Sequence, residues 1–153
     1  MNCVLPTGYT LRQAHSGDMG AIRRLVLTAM LDPTQLRWSQ FWVIEQAGKV
    51  IACGQLRNFL DAQELGSVVV KPEFRGRGLG SHLIQHLIQQ ATQPLYLECL
   101  GKRLPGFYTR FGFVPVAWED LPPGIKQKFR LSNLAAKVFR LPVTIMQHRV
   151  GHC

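Results

Sequence analysis

Val68-Val69-Val70-Lys71-Pro72-Glu73-Phe74-Arg75-Gly76-Arg77-Gly78-Leu79-Gly80 reads as a buried strand, a tight basic loop and the opening of a helix. Glycines at 76, 78 and 80 let backbone N–H groups converge on a ligand with no Cβ in the way. A helix N-terminus behind such a loop carries about half a positive charge, and Arg75 and Arg77 add two full ones. A pyrophosphate fits that chemistry. Two commoner phosphate loops are excluded by spacing. A P-loop needs Gly-Lys-Ser or Gly-Lys-Thr, and the chain has neither. A dinucleotide fingerprint needs G-x-G-x-x-G, whereas these glycines alternate.

Working outward, 153 residues suit a single domain, residues 1–153, with room for a substantial core. No run of 18 apolar residues occurs, so nothing in the sequence reads as a membrane span. The opening residues lack the basic and long apolar regions of a signal peptide, which makes the expected location cytoplasmic. Cys3, Cys53, Cys99 and Cys153 are scattered without C-x-x-C pairing and read as reduced thiols, neither a zinc site nor a disulfide frame.

The hydrophobic pattern alternates between periods of two and 3.6. Strands are predicted over 9–14, 41–46, 50–56, 64–70, 95–100, 112–116 and 143–150, with a hairpin turn at Ala47-Gly48-Lys49. A helix capped by Ser16 or Asp18 should bury Met19, Ile22, Leu25, Val26 and Ala29. A second, after Gly80, should bury Leu83, Ile84, Leu87, Ile88 and Ala91, and a third spans 126–140. Hairpins first and a β-α-β crossover later predict a mixed α/β fold with helices on both faces of the sheet.

Arg75-x-x-Gly78-x-Gly80 resembles the coenzyme A loop of the GNAT superfamily of acyl-CoA-dependent N-acyltransferases, whose signature is Gln/Arg-x-x-Gly-x-Gly/Ala. The order of elements is similar to the GNAT fold over most of residues 9–118, which implies a central, mostly antiparallel sheet of six to seven strands. Phe107-Tyr108-Thr109-Arg110-Phe111-Gly112-Phe113 resembles the family's F/L-Y-x-x-x-G-F segment. By that resemblance Tyr108 points its hydroxyl at the thioester sulfur, while Phe107, Phe111 and Phe113 belong to the core. Glu64, eleven positions before Arg75, matches the strand glutamate that deprotonates the amine in protein-lysine acetyltransferases of the superfamily. An exposed strand-end carboxylate is the alternative. The resemblance also assigns coenzyme A contacts to Val68, Val69, Val70, Arg75, Gly76, Arg77, Gly78, Leu79, Gly80 and Ser81. One departure stands out: Gly101-Lys102-Arg103-Leu104-Pro105-Gly106 is shorter than its family counterpart and lacks the asparagine that touches the pantetheine arm. Pro105 and Gly106 should confine the helix there to about one turn.

The resemblance implies an N-acetyltransferase that moves the acetyl group of acetyl-CoA to a primary amine by direct attack in a ternary complex, without a metal. A lysine-type amine of pKa about 10.4 reaches its neutral form at pH 7 at a cost of roughly 4.6 kcal/mol, against about 1 for an α-amine. Glu64 would take that proton, backbone N–H groups of the 68–70 strand would meet the oxyanion, and Tyr108 would protonate the departing thiolate, whose acidity is comparable in solution. A non-catalytic acyl-CoA sensor or adaptor would need the loop but neither Tyr108 nor Glu64. His82 and His86 share a helix face, yet no third ligand accompanies them, so both are expected to be solvated.

Net charge is +9, and residues 121–153 hold six Lys or Arg and no Asp or Glu. This basic segment, a helix and strand of the same domain, suits an acidic partner such as RNA, an anionic membrane or an acidic acceptor, and disfavours polyamine acceptors. Leu131, Leu134, Ala135 and Val138 form a stripe expected to pack on the sheet, so that Leu134→Asp would unfold the protein. No nucleic-acid-binding motif is present, and Phe129 and Phe139 are the only aromatics in the basic helix. The chain is expected to act as a monomer or homodimer.

Overall fold

A computed structural model describes residues 4–149. Cys3, Val150, His152 and Cys153 lie outside the described residues. The elements run β1 (Tyr9–Gln13), α1 (Met19–Thr28), β2 (Phe41–Gln46), β3 (Lys49–Asn58), β4 (Gln63–Val70), α2 (Leu79–Gln90), β5 (Leu95–Leu100), α3 (Leu104–Thr109), β6 (Phe113–Pro115), α4 (Pro123–Phe139) and β7 (Val143–His148). The strands are hydrogen-bonded in the order β1-β2-β3-β4-β5-β7-β6. All predicted strands and helices are present, with ends shifted by a few residues. Among the described residues, no helix is long and apolar enough to cross a membrane.

The chain divides into two compact units. The first holds residues through Arg57 together with Leu65–Gln90. Its β1-β2-β3 meander is antiparallel and turns at Ala47-Gly48, a two-residue loop with both φ values positive, at 50° and 76°. That is the hairpin geometry whose twist matches its strands. Ile22, Leu25 and Val26 of α1 pack on Val43, Cys53 and Val69. Gly54, the next residue along β3, faces α2 instead: a Cβ there would lie 2.7 Å from a methyl of Leu87. Successive strand residues point to opposite faces, so α1 and α2 cover opposite faces of this sheet.

Two local expectations are corrected in this unit. Neither Ser16 nor Asp18 caps α1 through its side chain. His15 instead caps a short 3₁₀ turn, and the Asp18 carboxylate accepts from the His15 N–H and from Arg12 at 2.8 Å. His86 is half-buried rather than solvated, with its ring 4.2 Å from that of Trp42. Trp42 stands opposite Gly54 in the β2–β3 register, so the missing side chain that lets α2 sit close also brings Trp42 against His86. Burial, reinforced by the charge of His82, holds the His86 pKa below its usual value.

The second unit holds Asn58–Glu64 and the chain from Ala91 onward. Gln63 and Glu64 pair in parallel with Leu95 and Tyr96, and β7 runs antiparallel to both β5 and β6. Its core joins Ala62, Tyr96 and Ile145 to Leu121, Ile125 and Phe129 at the front of α4. The Leu131-Leu134-Val138 stripe does not pack on the sheet, contrary to the sequence reading: all three side chains are exposed. With 3.6 residues per turn, each stands two positions, or roughly 200°, from the inward row that continues Ile125 and Phe129 through Ser132 and Ala136. Leu134→Asp should therefore leave the protein folded, and an unchanged thermal melt by circular dichroism is the expected result.

Candidate functional site

The loop between β4 and α2 has the backbone the sequence asks for. Gly76 and Gly78 adopt φ values of 79° and 78°, with nothing within 4 Å of where a Cβ would stand. Conformation, not crowding, selects glycine at both. Gly80 differs, because a Cβ there would make an ordinary 3.5 Å contact with Val70, so the fold itself admits alanine. The His82 N–H closes the first helical bond on Gly78 O at 3.0 Å, which leaves the N–H groups of Leu79, Gly80 and Ser81 without intrahelical acceptors. Arg75 donates to Val70 O, and Arg77 donates to the Tyr9 hydroxyl at 2.7 Å while lying over the Phe74 ring. The loop thus presents helix-end donors beside two cations, each braced by a hydrogen bond. Leu79 is a buried anchor, and the buried Val69 side chain packs toward α1, so only its backbone can meet a ligand. Val68 and Val70 are half-buried.

Just before these valines, Ser67 holds a φ of 52°, a left-handed turn in the middle of a strand. A non-glycine residue keeps this strained conformation only when its surroundings hold it. Ser67 Oγ accepts from Arg57 at 3.1 Å and donates to Gln55 Oε1 at 3.4 Å, and its carbonyl accepts from Cys53. Gln55 in turn donates to Gln35 O and Gln40 Oε1. Gln55 and Arg57 are buried and were missed by the sequence reading; polar residues alternating with Gly54 and Leu56 toward the end of β3 were the available signal. On the α1 side of this unit a cleft of about 690 Å³ opens beside the loop, rimmed by Arg24, Lys49, Lys71 and Arg75 over Leu25 and Val69.

In the second unit, Pro105 stands in the first turn of α3, whose six residues make nearly two turns rather than the one expected, and Thr109 bonds back to Pro105 O. Tyr108 packs edge-on against Phe107 and Phe113, with ring centroids 5.2 and 5.8 Å away. Burial, with a smaller contribution from Cys99, pushes its phenol up to about 12. The group keeps its proton at neutral pH and is a weaker acid than solution values implied. Phe113 is core, whereas Phe107 and Phe111 are only half-buried, a correction to the expectation that all three are core.

Glu64 is buried, not an exposed strand end. One carboxylate oxygen lies 3.9 Å from Lys128 Nζ of α4. Glu98 joins this cluster: its pKa is raised chiefly by burial and also by Glu64, against a hydrogen bond from Ser132 and the charge of Lys128. A lone carboxylate in the apolar 95–100 strand was the sequence signal for it. Among the described residues, no cluster of His, Cys, Asp or Glu is arranged to hold a metal ion, and Cys53 and Cys99 are free thiols.

The family model of the acetyltransferase (GNAT) domain matches residues 37–115. Amino-acid acetyltransferases are similar in sequence: that of Pseudomonas putida strain GB-1 is 34% identical over 125 residues, 73% of this chain and 29% of its own. That of Neisseria meningitidis serogroup A is 25% identical over 134 residues, 79% of this chain and 31% of its own. The chain thus spans about a third of the length of these curated relatives. Among solved structures, N-acetylglutamate synthase from Neisseria gonorrhoeae, complexed with coenzyme A and N-acetyl-glutamate, superposes with a TM-score of 0.75 at 22% identity, covering 97% of this chain and 36% of that one. A Mycobacterium tuberculosis protein in complex with CoA gives 0.73 at 24% identity, covering 93% and 99%. At such identities these likenesses speak for the fold.

Proposed function

Because this chain belongs to the GNAT acetyltransferase family, we propose that it moves the acetyl group of acetyl-CoA to a primary amine by direct attack in a ternary complex. The observation that carries this reading is the β4–α2 loop, with two glycines held at positive φ in open space and guanidinium groups beside free helix-end donors. Those donors and Arg75 hold the coenzyme's pyrophosphate, and the backbone of Val68–Val70 takes its pantetheine arm and polarises the thioester carbonyl. Glu64 accepts the proton of the attacking amine. Tyr108, its proton retained by burial, delivers it to the leaving sulfur. A sensor module would need neither the buried Glu64 carboxylate nor the half-buried Tyr108 phenol.

The relatives' names make an amino acid the first acceptor to test, and the buried Arg57 and the net charge of +9 suit an acceptor bearing a carboxylate. The experiment is a panel of amino acids, polyamines, peptides and lysate proteins incubated with labelled acetyl-CoA and scored by mass spectrometry. Acetylated amino acids or acidic peptides are the expected products. Hydrolysis without any acetylated amine across the panel would sink the reading.

Where the acceptor presents a lysine-like amine, Glu64→Gln should lower kcat most near pH 7 and least near pH 10, where roughly a quarter of that amine is already neutral. A loss uniform across pH would assign Glu64 to positioning, and no loss would point to an α-amine acceptor. Because Lys128 faces this carboxylate, the variant's thermal melt should be measured alongside.

A further inference from the structure

The rear of α4 is oily and cationic at once. Leu131, Leu134 and Val138 are 79%, 57% and 65% exposed, and Phe139 and Leu141 at the C-terminal end of the helix are exposed too. Arg130, Lys137 and Arg140 stand among them, all exposed. The Gly101 N–H bonds Pro142 O at 2.8 Å, which brings the β5–α3 loop alongside and adds exposed Leu100, Lys102, Arg103 and Leu104. No acidic residue occurs anywhere in 100–104 or 121–153. Five apolar residues along one stretch and five cations around them leave this surface without a matching element among the described residues.

We infer that α4 and the adjoining 100–104 loop form a peripheral docking surface for an anionic lipid bilayer. Leucine, valine and phenylalanine side chains enter the acyl boundary, and the Lys and Arg groups meet headgroup phosphates. The chemistry of this surface favours this occupant over three others. A second copy would set the same cations against one another across an isologous interface. An RNA backbone would neutralise the cations but leave the aliphatic side chains in water. A partner helix seats its anchors in a groove, whereas here the apolar side chains themselves project from a helix. The surface lies outside the residues assigned to coenzyme binding and proton transfer, so it stands or falls independently of acetyl transfer.

Sedimentation of the chain with vesicles tests it. The protein should pellet with phosphatidylglycerol–phosphatidylcholine vesicles, stay in solution with phosphatidylcholine alone, and be released by salt. Arg130→Gln with Lys137→Gln should weaken partitioning roughly 30-fold, at about 1 kcal/mol per cation. Leu134→Asp should abolish it while the protein keeps its melt and its acetyl-CoA affinity. Absence of vesicle binding by the wild type, equal binding to neutral vesicles, or unaltered binding by Leu134→Asp would each overturn the inference. A dimer in sedimentation equilibrium that Leu134→Asp dissociates would assign the surface to a second copy and overturn it as well.

Discussion

Tyr108→Phe should lower kcat roughly 10²-fold or more while leaving CoA affinity within a few-fold, the pattern of a group that acts only in the transition state. The substitution keeps the ring packed on Phe107 and Phe113 and removes only the hydroxyl. The sign of the pH dependence follows from burial. A phenol pushed up to about 12 stays protonated through pH 7 to 10, so this group should impose no alkaline decline on the wild type in that range. Desolvation raises the tyrosine above an ordinary thiol, and a thiolate leaving into a desolvated site would be raised for the same reason. Steady-state kinetics and calorimetry with CoA check both halves. An unchanged kcat would return Tyr108 to a packing role.

Gly78→Asp should weaken CoA binding at least about tenfold, because it sets a negative charge where the pyrophosphate is proposed to lie. Calorimetry on two further variants separates charge from backbone. Gly78→Ala adds only strain, roughly 1–2 kcal/mol for a side chain held left-handed at φ 78°, and should weaken binding by less. Gly80→Ala meets nothing closer than the 3.5 Å contact with Val70 and should bind nearly as the wild type does. Equal affinity for Gly78→Asp and the wild type would remove the pyrophosphate from this loop.

The loop was legible because its requirement is local. Glycine at 76 and 78 answers a backbone torsion, and helix-end donors follow from where α2 begins, so thirteen consecutive residues carry the whole statement. Strand and helix existence was equally local, since periods of two and 3.6 survive in any window of about ten residues. The corrections to His86 and to the α4 stripe both concern which of two faces a residue takes. His86 looked solvated because its neighbours are glutamines, and only Gly54, more than thirty residues away, lets Trp42 reach it.

Periodicity likewise showed that α4 carries an apolar stripe, but Ile125 and Phe129 define a second row on the same helix. Nothing in the helix says which row meets Tyr96 and Ile145; competition for buried area decides it, and the Leu134 row is left outside. The neighbourhood of Glu64 is tertiary for the same reason. Glu64 was singled out by its resemblance to the family's strand glutamate, but its burial, its Lys128 neighbour and the coupling to Glu98 come from three elements brought together. Sequence alone determined the order of strands and helices and the backbone of the glycine loop, because short-range torsions and periodicities encode them. Only the folded chain decided the protonation of Tyr108, the environment of Glu64 and the face that α4 shows to the outside, because each depends on which distant side chains exclude water.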